Sequence, residues 1–336
     1  MENKKYLIVT SISEPNESLK ALAKGCKEND FNFLLIGDSK SPDDFQLSGC
    51  RFYDIKQQKN LNSSFAEACP EKHYARKNIG YLIAISEGAS VIKETDDDNF
   101  PLGEFWEVYS PDCCVRVVEN CGWVNVYRYF SGEYIWPRGF ALEEIKEKGG
   151  EPEDFRKKEV MCPVQQGLAD ENPDVDALYR LLFSLPQSFL KNNDVAIGSG
   201  SWCPFNSQNT VWYPSAFPLL YLPSFCSFRM TDIWRSFVAQ KILHINDQAV
   251  LYRKPDVVQR RNEHDLLKDF EDEIIGYLNN GKILREFDKL SLKSGVENIR
   301  GNMILCYEKL IEMSLVGEKE LDLLGKWFDD LEKLGG

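Results

Sequence analysis

The sequence has no long hydrophobic run and no segment typical of a leader peptide. Its longest apolar runs, at 6–9 and 33–36, have the length of a β-strand and fall far short of the ~20 residues that a membrane-spanning helix needs. Residues 1–5 lead directly into the first of these runs. We therefore expect no transmembrane span and no signal peptide.

Positive charge is scarce. The chain carries 40 lysines and arginines against 53 acidic residues, which gives a net charge of −13. Such a surface repels phosphate backbones and anionic lipid. Basic runs are short, as at Arg260 and Arg261. The composition therefore predicts no nucleic-acid partner.

Metal-binding cysteine motifs are also missing. The ten cysteines are scattered without a Cys-x-x-Cys spacing, and the chain has only three histidines. This pattern excludes a zinc finger and predicts free, reduced and buried thiols, which suit a cytoplasmic location.

Strand and helix signals alternate over the first hundred residues. Apolar runs at 6–10 and 31–36 predict strands, the segment 89–95 predicts the next strand, and the spacing of apolar residues predicts helices over 18–27 and 73–87. Continuous apolar strands separated by helices are typical of a parallel sheet covered on both faces. The sequence thus predicts a doubly wound α/β fold.

The middle and the end of the chain differ in composition. Residues 100–212 are rich in aromatics, proline and glycine, which predicts mixed strands and long loops. One helix is marked there by Asn172 as its cap and Pro173 at its first position. Its predicted buried stripe consists of Val175, Leu178, Tyr179 and Leu182. From about 262 onward, helical spacing predicts two or three amphipathic helices.

Three adjacent carboxylates, Asp96, Asp97 and Asp98, follow the strand that ends at 95. They repel one another, so a semi-buried triple is costly without a cation, and hard carboxylate oxygens suit Mg²⁺ or Mn²⁺. The alternative is a solvated acidic turn. Arg76 and Lys77 lie near the start of the preceding helix, where they could face a diphosphate or be ordinary surface charges. This order resembles the nucleotide-sugar glycosyltransferases of the GT-A fold.

Longer motifs resemble one family, the STELLO-like glycosyltransferases. The matching segments are IGDSKSP at 36–42, WPRGF at 136–140, GLAD at 167–170 with PDVD at 173–176, PFNSQNT at 204–210 and SFRMTDIWR at 227–235. There are two departures from the family pattern. The plant members are Golgi membrane proteins, whereas no anchor is predicted here. Their acidic motif also resembles Asp-x-Asp-Asp, which would align Glu94, Asp96 and Asp97.

The resemblance implies a GT-A domain over 1–261 and a helical C-terminal extension over 262–336. It also implies a nucleotide diphosphate sugar as donor. Thr10 and Ser11 would contact the nucleoside, Asp38 would contact its base or ribose, and Lys40 would meet phosphate.

The resemblance also implies which residues contact the diphosphate and the metal. Arg76 and Lys77 would face the diphosphate, and Arg235 is a further candidate for contact with the donor. Asp96 and Asp98 would hold Mn²⁺ or Mg²⁺, with Asp97 near the ribose. His264 is the candidate for one more metal or phosphate contact, although it also reads as an ordinary residue at a helix start.

An inverting enzyme needs a carboxylate that deprotonates the acceptor hydroxyl. Asp232 is the first candidate. The alternative is that it is an acidic residue in the first turn of a helix, where its charge is stabilised by the helix dipole. Asp170 is its rival. Asp174 and Asp176 are further candidates that also fit the first turn of a helix.

Together these features predict a metal-dependent glycosyltransferase that transfers a sugar, first of all from a UDP-sugar, to a glycan or lipid-linked acceptor. The setting expected is the cytoplasm or the inner membrane face, in polysaccharide biosynthesis. Two alternatives stay open: a nucleotide-sugar mutase, and a catalytically silent scaffold. The C-terminal helices could form a homodimer, pack on the catalytic domain or bind a synthase partner.

Overall fold

The structure, a computed structural model, describes residues 4–146, 155–189, 194–261 and 265–335. The strands are β1 Lys5–Thr10, β2 Phe31–Ile36, β3 Arg51–Tyr53, β4 Val91–Thr95, β5 Asn99–Pro101, β6 Asp112–Val118, β7 Gly122–Trp123, β8 Lys157–Asp170, β9 Val195–Ile197, β10 Ser201–Trp202, β11 Asn209–Trp212 and β12 Gln248–Gln259. The helices are α1 Glu17–Glu28, α2 Ile55–Lys59, α3 Ser64–Ala68, α4 Lys77–Ser86, α5 Tyr127–Phe130, α6 Ala177–Leu182, α7 Thr231–His244, α8 Leu266–Phe287, α9 Ile299–Glu312 and α10 Glu320–Lys333.

One large sheet organises the molecule, in the order β3-β2-β1-β4-β11-β8-β6-β9-β12-β5. Its first four strands are all parallel. β11 then runs antiparallel to both β4 and β8, and the rest of the sheet is mixed, with β8 and β12 parallel to each other. The predicted α/β class, with a parallel sheet and a helical C-terminus, is confirmed, and antiparallel strands are added after β4.

Both faces of the parallel half are buried, as the continuous apolar strands predict. Leu7 and Val9 of β1 lie in one core cluster with residues of α1, whereas Tyr6 and Ile8 lie in the other with residues of α4. Helix α4 approaches the sheet closely at Gly80, where a Cβ atom would come within 2.6 Å of the Ile8 side chain. This close approach sets the start of α4 beside the strand ends.

The helix predicted in the middle of the chain starts later than expected. Asp176, not Asn172, caps α6, and its carboxylate accepts a hydrogen bond from the backbone N–H of Tyr179 at 2.7 Å. The side chain of Asn172 instead donates to the backbone carbonyl of Gln259 on β12. The predicted buried stripe is also only partly right, because Leu182 is 65% exposed.

The C-terminal sequence forms the predicted helices α8, α9 and α10, and they share the main hydrophobic core. Trp327 on α10 is fully buried and packs edge-to-face against Phe65 of α3. Asp330 accepts hydrogen bonds from the Ser63 hydroxyl and the Phe65 N–H, so it ties α10 to the N-terminus of α3. A domain boundary at 261 stays a prediction.

The cysteines and the helices bear on two predictions made from composition. The ten cysteines are free thiols, although Cys114 and Cys121 are exposed. Across the described ranges, every helix is too short or too polar to cross a membrane.

Candidate active site

Two adjoining cavities open where β1, β2 and β4 end. The first, of about 530 Å³, lies over the loops that follow β1 and β2 and includes Asp38 and His73 in its wall. The second, of about 270 Å³, lies over the acidic triple (Asp96, Asp97 and Asp98). The residues lining both cavities are Thr10, Tyr74, Asp97 and Phe228. Carboxyl ends of parallel strands are where α/β proteins bind ligands.

Asp96 is held from behind by Lys77, the first residue of α4. The Lys77 ammonium is fully buried and donates to the Asp96 carboxylate at 3.0 Å and to the carbonyls of Thr95 and Ser207 at 3.1 and 3.2 Å. Partial burial raises the pKa of Asp96, against the opposing effect of Lys77. Since three acceptors engage the Lys77 ammonium, this side chain orients Asp96 instead of projecting into the cleft.

Asp97 is held by the loop that follows β1. Its carboxylate accepts hydrogen bonds from the hydroxyls of Ser11 and, at 3.3 Å, Ser13. The side chain of Asn16, which caps α1, donates to the Asp97 backbone carbonyl at 2.9 Å. These contacts fix Asp97 at the junction of the two cavities.

Asp98 is held from the opposite side by β12. The Gln259 amide donates to both Asp98 carboxylate oxygens at 3.2 Å. No group of three or more His, Cys, Asp or Glu side chains within the described ranges could hold a metal ion. Asp96 and Asp98 still suit Mg²⁺ or Mn²⁺, because these cations are commonly bound by one or two carboxylates with substrate phosphate and water completing the shell.

The first cavity contains two buried donor atoms that lack an acceptor among the described residues. The Arg76 guanidinium donates to Gln58 and to the Cys69 carbonyl, but its Nη2 has no partner among the described residues. His73 accepts the Ala75 N–H at Nδ1, so its neutral ring carries the proton at Nε2, which likewise lacks a partner there. Burial lowers the pKa of His73 to about 4. Unpaired buried donors are costly, so both atoms point to a ligand.

Asp38 shapes the same cavity through its backbone contacts. Its carboxylate accepts hydrogen bonds from the N–H groups of Ser39, Lys72 and His73, at 2.6, 2.8 and 2.9 Å. It therefore joins the loop after β2 to the segment before α4. Lys40 lies in the same wall.

A buried ion cluster separates the second cavity from the core. Arg138 pairs with Asp232 through Nη1 and Nη2 at 3.0 and 2.9 Å, and with Asp174 through Nε and Nη2 at 2.8 and 2.9 Å. The Ser207 N–H also donates to Asp232. Burial alone would raise the pKa of Asp232, but Arg138 outweighs it and leaves that pKa at about 2. Asp232 is thus ionised at every physiological pH.

Most of the predicted site residues come together in this cleft. Those that line one or both cavities are Thr10, Ser11, Asp38, Lys40, Arg76, Asp96, Asp97, Asp98 and Asp232.

Three predicted residues line neither cavity, namely Lys77, Arg235 and Asp170, and one is not described. Lys77 is buried and pairs with Asp96. Arg235 is 1% exposed and pairs with Glu94 of β4. Asp170 accepts a hydrogen bond from the Phe189 N–H and lines neither cavity. His264 lies outside the described residues.

Sequence reasoning assigned no role to several residues of the cleft. Arg138 lies in the WPRGF segment, which resembles the family motif, but the sequence does not indicate which carboxylate this arginine pairs with. His73 marked only the start of a helix. Arg180 and Arg261 lie 49 and 32 residues away from a third cleft arginine, Arg229, so only the fold brings the three together.

Comparison with known proteins gives the same family as the motifs. A sequence model of the STELLO glycosyltransferases matches residues 229–336. Two curated proteins of Arabidopsis thaliana, probable glycosyltransferases STELLO2 and STELLO1, are 28% and 27% identical over 98% and 99% of this chain. The alignments cover 45% of each of these relatives, so the chain spans about half their length.

Solved structures give weaker matches. A mycobacterial protein aligns over 84% of this chain and 76% of its own, with 9% identity and a TM-score of 0.44. The M. tuberculosis glucosyl-3-phosphoglycerate synthase aligns over 84% and 81%, with 10% identity and a TM-score of 0.40. The sequence comparisons confirm the resemblance that the motifs indicate: over nearly its whole length, the chain is similar to the STELLO glycosyltransferases.

Proposed function

We propose that the chain is a metal-dependent glycosyltransferase that uses a nucleoside diphosphate sugar, with a UDP-sugar as the first donor to test. The observation that carries this proposal is the pair of adjoining cavities, with Asp97 at their junction and Asp96 and Asp98 in the wall of the second. The first cavity, at about 530 Å³, has the size of a small-molecule site. The second supplies adjacent space for the transferred sugar and the attacking acceptor. The similarity to the STELLO glycosyltransferases supports the same activity.

The nucleoside would occupy the first cavity. His73 Nε2 and Arg76 Nη2 are the donors available to its base or phosphate oxygens. Asp97, already fixed by Ser11, would accept hydrogen bonds from the ribose hydroxyls. This arrangement orients the donor so that its diphosphate reaches the junction of the cavities.

Asp96 and Asp98 would hold the divalent cation, Mg²⁺ or Mn²⁺. When bound, the cation supplies charge stabilisation to the departing nucleoside diphosphate. Lys77 keeps Asp96 turned toward this position, and Gln259 does the same for Asp98. His264 remains part of the proposal as a further contact.

Asp232 is the proposed acceptor-side carboxylate of an inverting reaction. It lines the second cavity with Asp96 and is always ionised, so it can accept a hydrogen bond from an acceptor hydroxyl. A pKa of about 2 makes it a weak base, so it would take the proton only as the hydroxyl becomes acidic in the transition state. Asp170, hydrogen-bonded to Phe189, is the less favoured candidate. The acceptor proposed is a glycan or a lipid-linked glycan.

Calorimetric titration with UDP, GDP, CDP and CMP tests the proposal, with and without Mn²⁺. We expect one nucleotide to bind only with the metal, and Asp98→Ala to abolish that binding. Asp322→Ala is the matched control, because Asp322 is an exposed acid on α10 that lines neither cavity.

The outcome separates the proposal from its alternatives. If the folded wild type binds none of the four nucleotides with Mn²⁺ present, the enzyme proposal fails and a scaffold role replaces it. A stable sugar–protein adduct formed without acceptor would instead identify a self-glycosylating protein or mutase.

A further inference from the structure

Three arginines from distant segments meet in the wall of the second cavity. Arg180 lies on α6, Arg229 lies in the 3-10 helix Phe228–Met230 just before α7, and Arg261 follows β12. All three line the second cavity, and none of them lines the first. The same cavity is also lined by Arg138 and by five aspartates, so these three arginines form a basic patch in a wall that is acidic elsewhere.

The carboxylates around these arginines do not balance their charge. Arg229 donates to Glu273 from Nε and Nη2 at 2.9 and 2.7 Å, and Arg261 donates to Asp269 at 2.8 Å. Arg180 has no carboxylate within ion-pair distance in the described part of the chain. Three guanidinium groups therefore face two carboxylates, which leaves an excess of one positive charge.

Asp174 does not pair with Arg180. It lies close enough to raise the pKa of Arg180, but both of its oxygens already accept hydrogen bonds from Arg138. Arg138 also pairs with Asp232, so this neighbouring cluster of one guanidinium and two carboxylates has a net charge of −1, which offsets the excess at longer range without giving Arg180 a partner. The cation that remains without a carboxylate is Arg180.

The hydrogen bonding of Arg180 also indicates a missing partner. Its Nη2 donates to the Pro173 carbonyl at 2.9 Å, but its Nε is buried without an acceptor among the described residues. Burial lowers the pKa of Arg180 to about 10, and the charges of Arg261 and Arg229 add to this effect. Mutual repulsion of buried cations is relieved when an anion binds between them.

We infer that Arg180, Arg229 and Arg261 form a binding site for a phosphate or carboxylate group of the acceptor substrate. Guanidinium groups bind both kinds of oxyanion through paired N–H donors. The arginines are confined to the second cavity, whereas the nucleoside pocket lies in the first, so the oxyanion they bind is not part of the nucleoside; competition with UDP separates the acceptor from the donor diphosphate. The assignment to an acceptor rests on the proposed function, whereas the anion site itself does not.

Phosphorus NMR of inorganic phosphate at constant ionic strength tests the site on the full chain. We expect wild-type protein to broaden the phosphate resonance saturably, and Arg180→Gln to weaken this binding roughly tenfold, as the loss of a charge-assisted hydrogen bond predicts. Arg260→Gln is the matched control, because Arg260 is exposed and stacks on Phe100 outside both cavities. Its phosphate affinity should stay within twofold of wild type.

A second variant and a second ligand complete the test. Arg180→Lys keeps the positive charge but loses the planar guanidinium group, so this variant should bind phosphate more weakly than wild type. It serves as the test if Arg180→Gln does not fold.

Saturating UDP with Mg²⁺ should leave phosphate binding in place. Displacement of phosphate by UDP would assign the arginines to the donor and overturn the acceptor assignment. Absence of phosphate binding to folded wild type, or equal binding by Arg180→Gln, would overturn the anion site whether or not UDP binds.

Discussion

Arg235 donates to both carboxylate oxygens of Glu94, at 2.8 and 3.1 Å, in a pair that solvent barely reaches. Tyr81 and Trp212 donate to the same carboxylate, so every contact of Glu94 is made inside the core. Glu94 precedes Asp96 by two residues on β4, and the pair therefore anchors the strand that carries the acidic triple to α7. A motif alignment that counts Glu94 as its first acid thus includes a residue of the core.

Glu94→Gln should lower the free energy of unfolding by about 3–5 kcal/mol, because it leaves the buried Arg235 charge without its partner. Urea denaturation of the variant measures this loss. The double variant Glu94→Met with Arg235→Met should lose less than the single one, since it removes both charges together. A double variant that is clearly less stable than Glu94→Gln would contradict this account of the pair.

Asp232 should make stability depend on pH in the acid range. Its pKa in the folded protein is about 2, below the ordinary value near 4, so its ion pair stabilises the fold above pH 4 and loses this effect as pH falls toward 2. The change amounts to about 2 kcal/mol. Urea denaturation at pH 5 and pH 2.5 should therefore show the stability difference between wild type and Asp232→Asn shrinking by that amount. If the stability difference between wild type and Asp232→Asn is the same at pH 5 and pH 2.5, the low pKa of Asp232 and its attribution to Arg138 are contradicted.

His73 should act as a neutral donor to the nucleotide. With a pKa of about 4 it stays uncharged down to pH 5, so the affinity for UDP-glucose should be constant between pH 5 and pH 7.5. His73→Phe keeps the packing against Tyr74 and Phe228 but removes the Nε2 proton, and it should weaken binding up to about tenfold. Calorimetry measures both effects. Affinity that rises steeply below pH 6.5 would mean that the ring is charged in the bound state.

The parallel half of the fold was predictable because local patterns define it. Strands β1 and β2 are largely apolar runs, β4 begins with two apolar residues, and α1 has the apolar spacing that the sequence indicates. The start of α6 was not predictable in the same way. Asn172 and Asp176 are both good caps, and the choice depends on the contact of Asn172 with β12, which only the fold creates.

The site shows the same limit. Asp96, Asp97 and Asp98 were recognisable because adjacent carboxylates after a strand are unusual. The charge partners of the site were not, because Lys77 and Arg235 look like surface charges on their helices but are buried, in contact with Asp96 after β4 and with Glu94 on β4. A basic residue near an acidic motif indicates proximity, but tertiary packing decides whether it meets the ligand or the protein.

The most direct test of the account is a crystal structure of the chain with UDP and Mn²⁺, with the metal located by anomalous diffraction. The account predicts a manganese peak in contact with Asp96 or Asp98 and the uridine in the first cavity, beside Asp38 and His73. A nucleotide bound elsewhere on the chain, or a manganese ion bound away from the acidic triple, would contradict the central claim.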